Sequence, residues 1–184
     1  MKLVIAATGA SGAIYTQRLL DNLDPRQHEI YFIATHHAGE VAALELPGGL
    51  KIPAGVKVYE ETGSMFVPFV SGSAKFDAMV VIPASMGTVG RIATGVSDNT
   101  LARAADVFLK ERRQLILVPR EAPYNLIHLR NMVALTEAGA TIIPASPAFY
   151  SQPQTIVGLV DTIIARVLDH LGIEHKLTTR WQAD

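Results

Sequence analysis

Five short apolar runs punctuate the chain, at positions 3–7, 30–34, 78–83, 115–118 and 141–143, and they are continuous rather than alternating. Runs of this kind read as strands buried on both faces, as in a parallel sheet. Apolar positions recur at helical spacing in 14–23, 38–46, 86–93, 99–112, 125–138 and 155–171. Gly139 and Gly172 stand where helix-ending glycines belong. The pattern predicts an open α/β sheet with helices on both faces. In such folds ligands sit beyond the carboxyl ends of the strands, so five loops are expected to converge: 8–11, position 35, 84–88, 120–121 and 145–150.

Composition narrows the partners. The 184 residues contain no low-complexity stretch and no long Pro/Gly/Ser linker, which predicts one domain over 1–184 with a tail from about 173. A net charge of -1 and scattered Lys and Arg give no basic tract for nucleic acid or a membrane surface. The chain has no cysteine, which removes disulfides, thiolate nucleophiles and cysteine metal sites and fits a reducing compartment. Its first strand starts at once, with neither a signal peptide nor a membrane span ahead of it, and a cytoplasmic location is expected.

The turn Thr8-Gly9-Ala10-Ser11-Gly12-Ala13 directly follows the first strand run. Two glycines let the backbone turn sharply and bring amides close to an anion, and the helix that follows offers its N-terminus to the same charge. The turn points to a phosphorylated ligand, although glycine-rich strand-to-helix turns also serve packing, and this one lacks the dinucleotide pattern. A second such turn, Ser85-Met86-Gly87-Thr88, reads either as a ribityl or phosphate holder or as a helix cap. Arg120-Glu121, at a buried strand's end, is either a desolvated functional pair or a surface ion pair. Arg103, Asp106 and Lys110 share one side of a predicted helix, as a solvated ion-pair face or as a cationic wall for an anion. Arg166 falls at the margin of the last helix's apolar stripe, where an Arg often only snorkels, and Tyr150 is open to packing or ligand contact.

Taken together, Gly9-Ala10-Ser11-Gly12-Ala13-Ile14-Tyr15, Ser97-Asp98-Asn99, Arg103-Ala104-Ala105-Asp106-Val107, Leu109-Lys110-Glu111-Arg112-Arg113, Val118-Pro119-Arg120-Glu121-Ala122-Pro123, His128-Leu129, Pro147-Ala148-Phe149-Tyr150 and Arg180-Trp181 closely resemble the UbiX/Pad family of flavin prenyltransferases. The resemblance spans almost the whole chain. It implies a flavodoxin-like Rossmann fold, a large homo-oligomer, commonly a dodecamer, and transfer of a dimethylallyl group to N5 and C6 of reduced FMN. The prenylated FMN then serves a UbiD-type decarboxylase.

Carried over position by position, the resemblance assigns FMN to Gly9, Ala10, Ser11, Thr35, Ser85, Met86, Gly87, Thr88 and Arg120. It places a dimethylallyl phosphate against Arg103, Lys110, Tyr150 and Arg166, with Glu121 nearby. Glu45 matches a family acid that handles protons with Ser11 near flavin N5. The implied chemistry suits these residues: a leaving phosphate needs cations, and the allylic carbon must be kept from water. The chain has no Asp-Asp-x-x-Asp cluster of the kind that holds Mg²⁺ on a diphosphate, so a metal-independent reaction with a monophosphate is expected.

Several positions depart from the family pattern. Ala84 stands where many members have cysteine, Thr16 where many have glycine, and Thr35 where serine is usual. The stretch 63–73 lacks the tryptophan some members place near the prenyl group and leaves Met65 and Phe66 as candidate apolar walls. Two rivals remain at this point. A flavin-dependent cysteine decarboxylase would need a proton-donating cysteine, and a flavin carrier would need the loops without Arg103, Lys110, Glu121 and Arg166.

Overall fold

A computed structural model describes residues 1–178; Arg180, Trp181 and the rest of the tail lie outside the described residues. Six strands form one parallel sheet: β1 (Lys2–Ala7), β2 (Glu29–Ala34), β3 (Lys57–Glu60), β4 (Ala78–Ala84), β5 (Gln114–Pro119) and β6 (Thr141–Ile142). Their spatial order is β3-β2-β1-β4-β5-β6. The helices are α1 (Ala13–Asp21), α2 (His36–Glu45), α3 (Met86–Ala93), α4 (Thr100–Lys110), α5 (Leu126–Glu137) and α6 (Ile156–Leu171).

Burial on both faces of the sheet explains the continuous apolar runs. Leu3 and Ile5 of β1 pack into one core with α1 and α6, while Val4 and Ala6 pack into a second with α3 and α4. The expected open parallel sheet is thereby realised, and the five strand runs read from the sequence stand in the flavodoxin-like order 2-1-3-4-5 when numbered by themselves. The sixth, β3, extends the β2 edge and carried no readable signal. It is four residues long and largely exposed, with Tyr59 as its inward side chain. That ring stacks on Tyr31 at 5.8 Å and meets Phe69 edge-on at 5.2 Å.

Capping sets the helix ends. Side chains of Thr35, Ser85, Asn99, Asn125 and Thr155 accept hydrogen bonds from first-turn amides of α2 to α6. α4 is two residues shorter than its pattern at the C-terminus, because Arg112 turns left-handed at φ 56° and the Arg113 amide donates back to the Phe108 carbonyl. Gly172 does the same for α6 at φ 69°.

A partly buried ion pair ties α1 to α6. The Arg18 guanidinium meets Asp161 with two bonds, Nε to Oδ1 at 2.8 Å and Nη2 to Oδ2 at 2.9 Å. Asp161 is only 6% exposed, so removing its partner strands a charge. Arg18→Met is expected to destabilise the fold by about 3 kcal/mol in denaturant unfolding, and a variant as stable as the parent would show that the pair does not hold the two helices together.

Candidate active site

The strand order reverses between β1 and β4, and one side chain fastens the ends of these two strands. The buried Thr8 hydroxyl donates to the Pro83 carbonyl at 2.7 Å and accepts from the Ser85 amide at 2.7 Å. Thr8 N–H also donates to Pro83, and the Thr16 hydroxyl of α1 donates to the Ile82 carbonyl at 2.6 Å. The loop after β1 and the loop after β4 are therefore held side by side at the switch point, where α/β folds bind ligands.

Glycines let the β1 loop fold tightly. A Cβ on Gly9 would lie 2.6 Å from the Cβ of His37, so no other residue fits there without displacing α2. Gly12 adopts φ 113° at the start of α1. The first amides of α1 do not face open space. Glu45, from the end of α2, takes them: Gly12 N–H donates at 2.8 Å and Ala13 N–H at 2.7 Å. The anion at this helix N-terminus is thus the protein's own carboxylate.

Glu45 also meets Ser11. Burial, the largest single influence, pushes its carboxyl up. The Ser11 hydroxyl, the two amides and the positive charge of Arg120 together outweigh that and hold it below the usual carboxylate value. Arg120 lies close enough to Tyr15 to oppose the rise that burial imposes on that phenol. The ends of β1, α2 and β5 thus share one electrostatic neighbourhood.

A cleft of about 700 Å³ opens beyond these loops, within the range of cofactor sites. Thr8, Gly9, Thr35, Ser85 and Thr88 line it. Thr35 and Ser85 act as helix caps as well, and the two roles are compatible: each hydroxyl oxygen accepts an amide while its proton points elsewhere. The lining also contains Asn99, from the Ser97-Asp98-Asn99 motif, and residues that carried no sequence motif, namely His37, Glu40, Val41, Leu44, Glu61 and Arg91. Leu44, 88% exposed at the rim, is an apolar wall without cover. Glu61 closes a second helix start, accepting from Thr100 N–H at 3.0 Å and Leu101 N–H at 2.8 Å. This clamp brings the 61–66 segment to the start of α4, where Phe66 is 99% exposed.

The candidate cations are placed differently. Arg103 pairs with Asp106 at 2.6 Å, Lys110 with Glu111, and Arg166 with Asp169 at 3.2 Å. α4 starts at the cleft and runs back along the sheet, so Lys110, at its last turn, is about 15 Å farther on. Arg166 lies on α6, across the sheet from α4, and toward its amino ends, where Gln114 of β5 donates to the His170 carbonyl. Tyr150 projects from the exposed 144–155 segment and Glu121 follows β5. Within one protomer these groups do not surround a common point.

The flavoprotein family matches residues 1–171. The chain is 44% identical to the flavin prenyltransferase UbiX of Methanocaldococcus jannaschii over 98% of both chains. The chain belongs to the UbiX/Pad family of flavin prenyltransferases. A solved structure of AnUbiX (PadA1), in complex with FMN and dimethylallyl pyrophosphate, matches with a TM-score of 0.91 at 36% identity, over 99% of this chain and 97% of that one. A dodecameric, FMN-dependent UbiX-like decarboxylase from Escherichia coli O157:H7 matches with a TM-score of 0.89 at 38% identity over the full length of both.

Family membership gives the departures from its pattern a setting. Thr16 donates its hydroxyl to the Ile82 carbonyl of β4, and Thr35 caps α2. Glu45 has a measurable consequence. Its carboxyl titrates lower in the fold than its ordinary 4.5, so its contribution is complete above that pH and is lost as pH falls through the folded value. Glu45→Gln is expected to cost about 1 kcal/mol of stability at pH 7, with the gap to the parent narrowing in denaturant melts as pH is lowered progressively below 4.5. A gap that is constant with pH would contradict the charge-based cap.

Proposed function

We propose that the chain is a flavin prenyltransferase that moves a dimethylallyl group from dimethylallyl monophosphate to N5 and C6 of reduced FMN. The observation that carries this reading is the cleft at the β1/β4 switch point, with its hydroxyls, glycine turn and Ser11–Glu45 pair, in a chain that keeps a full set of cations elsewhere. A carrier of flavin would need the first and not the second.

The residues fit FMN. The tight turn at Gly9, Ala10 and Ser11, the hydroxyls of Thr35, Ser85 and Thr88, the backbone at Met86 and Gly87, and Arg120 would hold the phosphate and ribityl chain, with Leu44 and Val41 as apolar cover. Reduced FMN, when bound, supplies the nucleophilic N5 and the ring carbon that closes the new ring. Ser11 and Glu45 hold a proton beside the flavin edge: Glu45, kept ionised by its donors, accepts from the Ser11 hydroxyl and fixes that hydroxyl's direction. Arg103, Lys110, Arg166 and Tyr150 would take the phosphate as its C–O bond breaks, and Glu121 would manage the phosphate's proton.

Because one protomer spreads these cations over two faces of the sheet, the prenyl-phosphate site needs more than one copy of the chain. The surface supports assembly. α5 buries only Leu135 and exposes Leu126, Ile127, Leu129 and Val133, while Phe149 and Tyr150 ahead of α6 and Ile156 at its first position are largely exposed. A homododecamer fits this reading, as does a cytoplasmic setting for a cysteine-free chain acting on reduced flavin. Among the described residues no helix is long and apolar enough to cross a membrane. The product would serve a UbiD-type decarboxylase.

Anaerobic incubation with reduced FMN and dimethylallyl phosphate, and in parallel with dimethylallyl pyrophosphate, is expected to yield an extracted flavin heavier by one five-carbon unit. Unchanged flavin with both donors would overturn the reading. Arg166→Ala is expected to slow transfer by about 100-fold with FMN affinity nearly unchanged. Equal loss of both would contradict the separation of the two subsites.

A further inference from the structure

One permanent cation lines the cleft. Among the described residues that border the cavity, Arg91 is the one arginine or lysine. It sits in the last turn of α3, four residues beyond Gly87 and three beyond Thr88, so the three share one face of the helix. Long helical side chains lean back toward the start of their helix. Gly87 leaves room for this, since a Cβ there would stand 3.4 Å from Nη1 of Arg91. The guanidinium is thereby brought over the first turn of α3, where the Ser85 and Thr88 hydroxyl oxygens lie 3.1 Å apart.

Asp98 sets the direction of that fork. Its Oδ2 accepts from Nε of Arg91 at 3.2 Å, and among the described residues neither Nη group makes a hydrogen bond. The carboxylates that border the cavity are engaged with other groups. Glu40 meets Nδ1 of His37 at 2.8 Å and Nε2 of His36 at 3.4 Å, and Glu61 takes the first amides of α4. An anion with several oxygens entering here therefore meets two neighbouring hydroxyls and a planar cation with two outer donors unclaimed, a geometry suited to phosphate. Arg120, the other cation assigned to the cofactor, stands with Glu45 and Tyr15 and is not among the described residues bordering the cavity.

We propose that Arg91 is an FMN-binding residue: it grips the 5′-phosphate over the start of α3, with the Ser85 and Thr88 hydroxyls, and makes the cleft select FMN over the phosphate-free flavin. The proposal rests on the reading of this cleft as the FMN site. It adds a residue that carried no sequence motif, and it gives Asp98, from the Ser97-Asp98-Asn99 motif, the task of aiming it.

Dilution of the FMN-loaded full chain, with released flavin read from its fluorescence, measures affinity without turnover. The same chain loaded with riboflavin gives the value for a flavin without phosphate. Arg91→Ala is expected to weaken FMN binding about 30-fold and to leave riboflavin within about twofold of the parent. Arg91→Lys, which keeps a point charge without the fork, is expected to bind FMN about fivefold more weakly than the parent. Because salt screens a cation–phosphate contact in an open cleft, the parent's FMN affinity falls with rising salt more steeply than that of Arg91→Ala. The Arg91–Asp98 pair is about half exposed, with side chains 46% and 52% accessible, so its loss leaves the melting temperature of the flavin-free chain close to the parent's. Unchanged FMN affinity in Arg91→Ala, equal losses for FMN and riboflavin, or a salt dependence as steep as the parent's would overturn the role of Arg91 while leaving the cleft as the flavin site. A parent that holds neither flavin would instead overturn the reading of the cleft, and the role of Arg91 with it.

Discussion

The Thr8 hydroxyl is the constraint on which the site depends. It sits where strand order reverses, and a single buried oxygen bonds the backbone of the β4 end twice, once as donor and once as acceptor. Thr8 is almost fully buried, so losing the hydroxyl would take from the Ser85 amide its bond to Thr8 and leave the Pro83 carbonyl with only the longer bond from Thr8 N–H. Everything at the cleft follows from that clasp: the Gly9 turn is pressed against α2, Ser85 is set to cap α3, and the Thr35 and Ser85 hydroxyls border one cavity.

Around the clasp, the fold uses its own carboxylates as plugs. Glu45 closes α1 and Glu61 closes α4, each reaching from a distant part of the chain to two first-turn amides. A carboxylate at a helix start is stabilising in itself. Here it also joins separate elements: Glu45 ties the end of α2 to the loop after β1, and Glu61 ties the segment carrying Met65 and Phe66 to the helix that bears Arg103 and Lys110. The loops around the cleft are thus held by bonds that also finish helices.

How much of this was legible follows from range. Strands buried on both faces announce themselves as apolar runs, and helix caps are local, so β1, β2, β4, β5 and β6 and the starts of α3 to α6 could be read directly, whereas α2 begins at His36, two residues before its apolar pattern. The edge strand β3 could not, because its single inward residue, Tyr59, is defined by Tyr31 and Phe69 from other parts of the chain. The turn at Gly9 to Gly12 signalled an anion, but no local pattern could reveal that Glu45, 33 residues away, occupies the α1 amides. The cations were readable as residue types. Their separation over two faces of the sheet was not, since family motifs give identity without saying which copy of the chain supplies each side chain to a site.

That separation makes the central claim testable in one experiment. Two variants, Ser11→Ala on the flavin side and Arg166→Ala on the phosphate side, would each be slow alone; co-assembled from mixed, dissociated protomers, they form some sites that join an intact flavin turn from one copy to an intact Arg166 from another. The account predicts recovery of about a quarter of the parent's prenyl transfer under random mixing. Mixed assemblies no faster than the average of the two variants would show that each protomer builds its site alone.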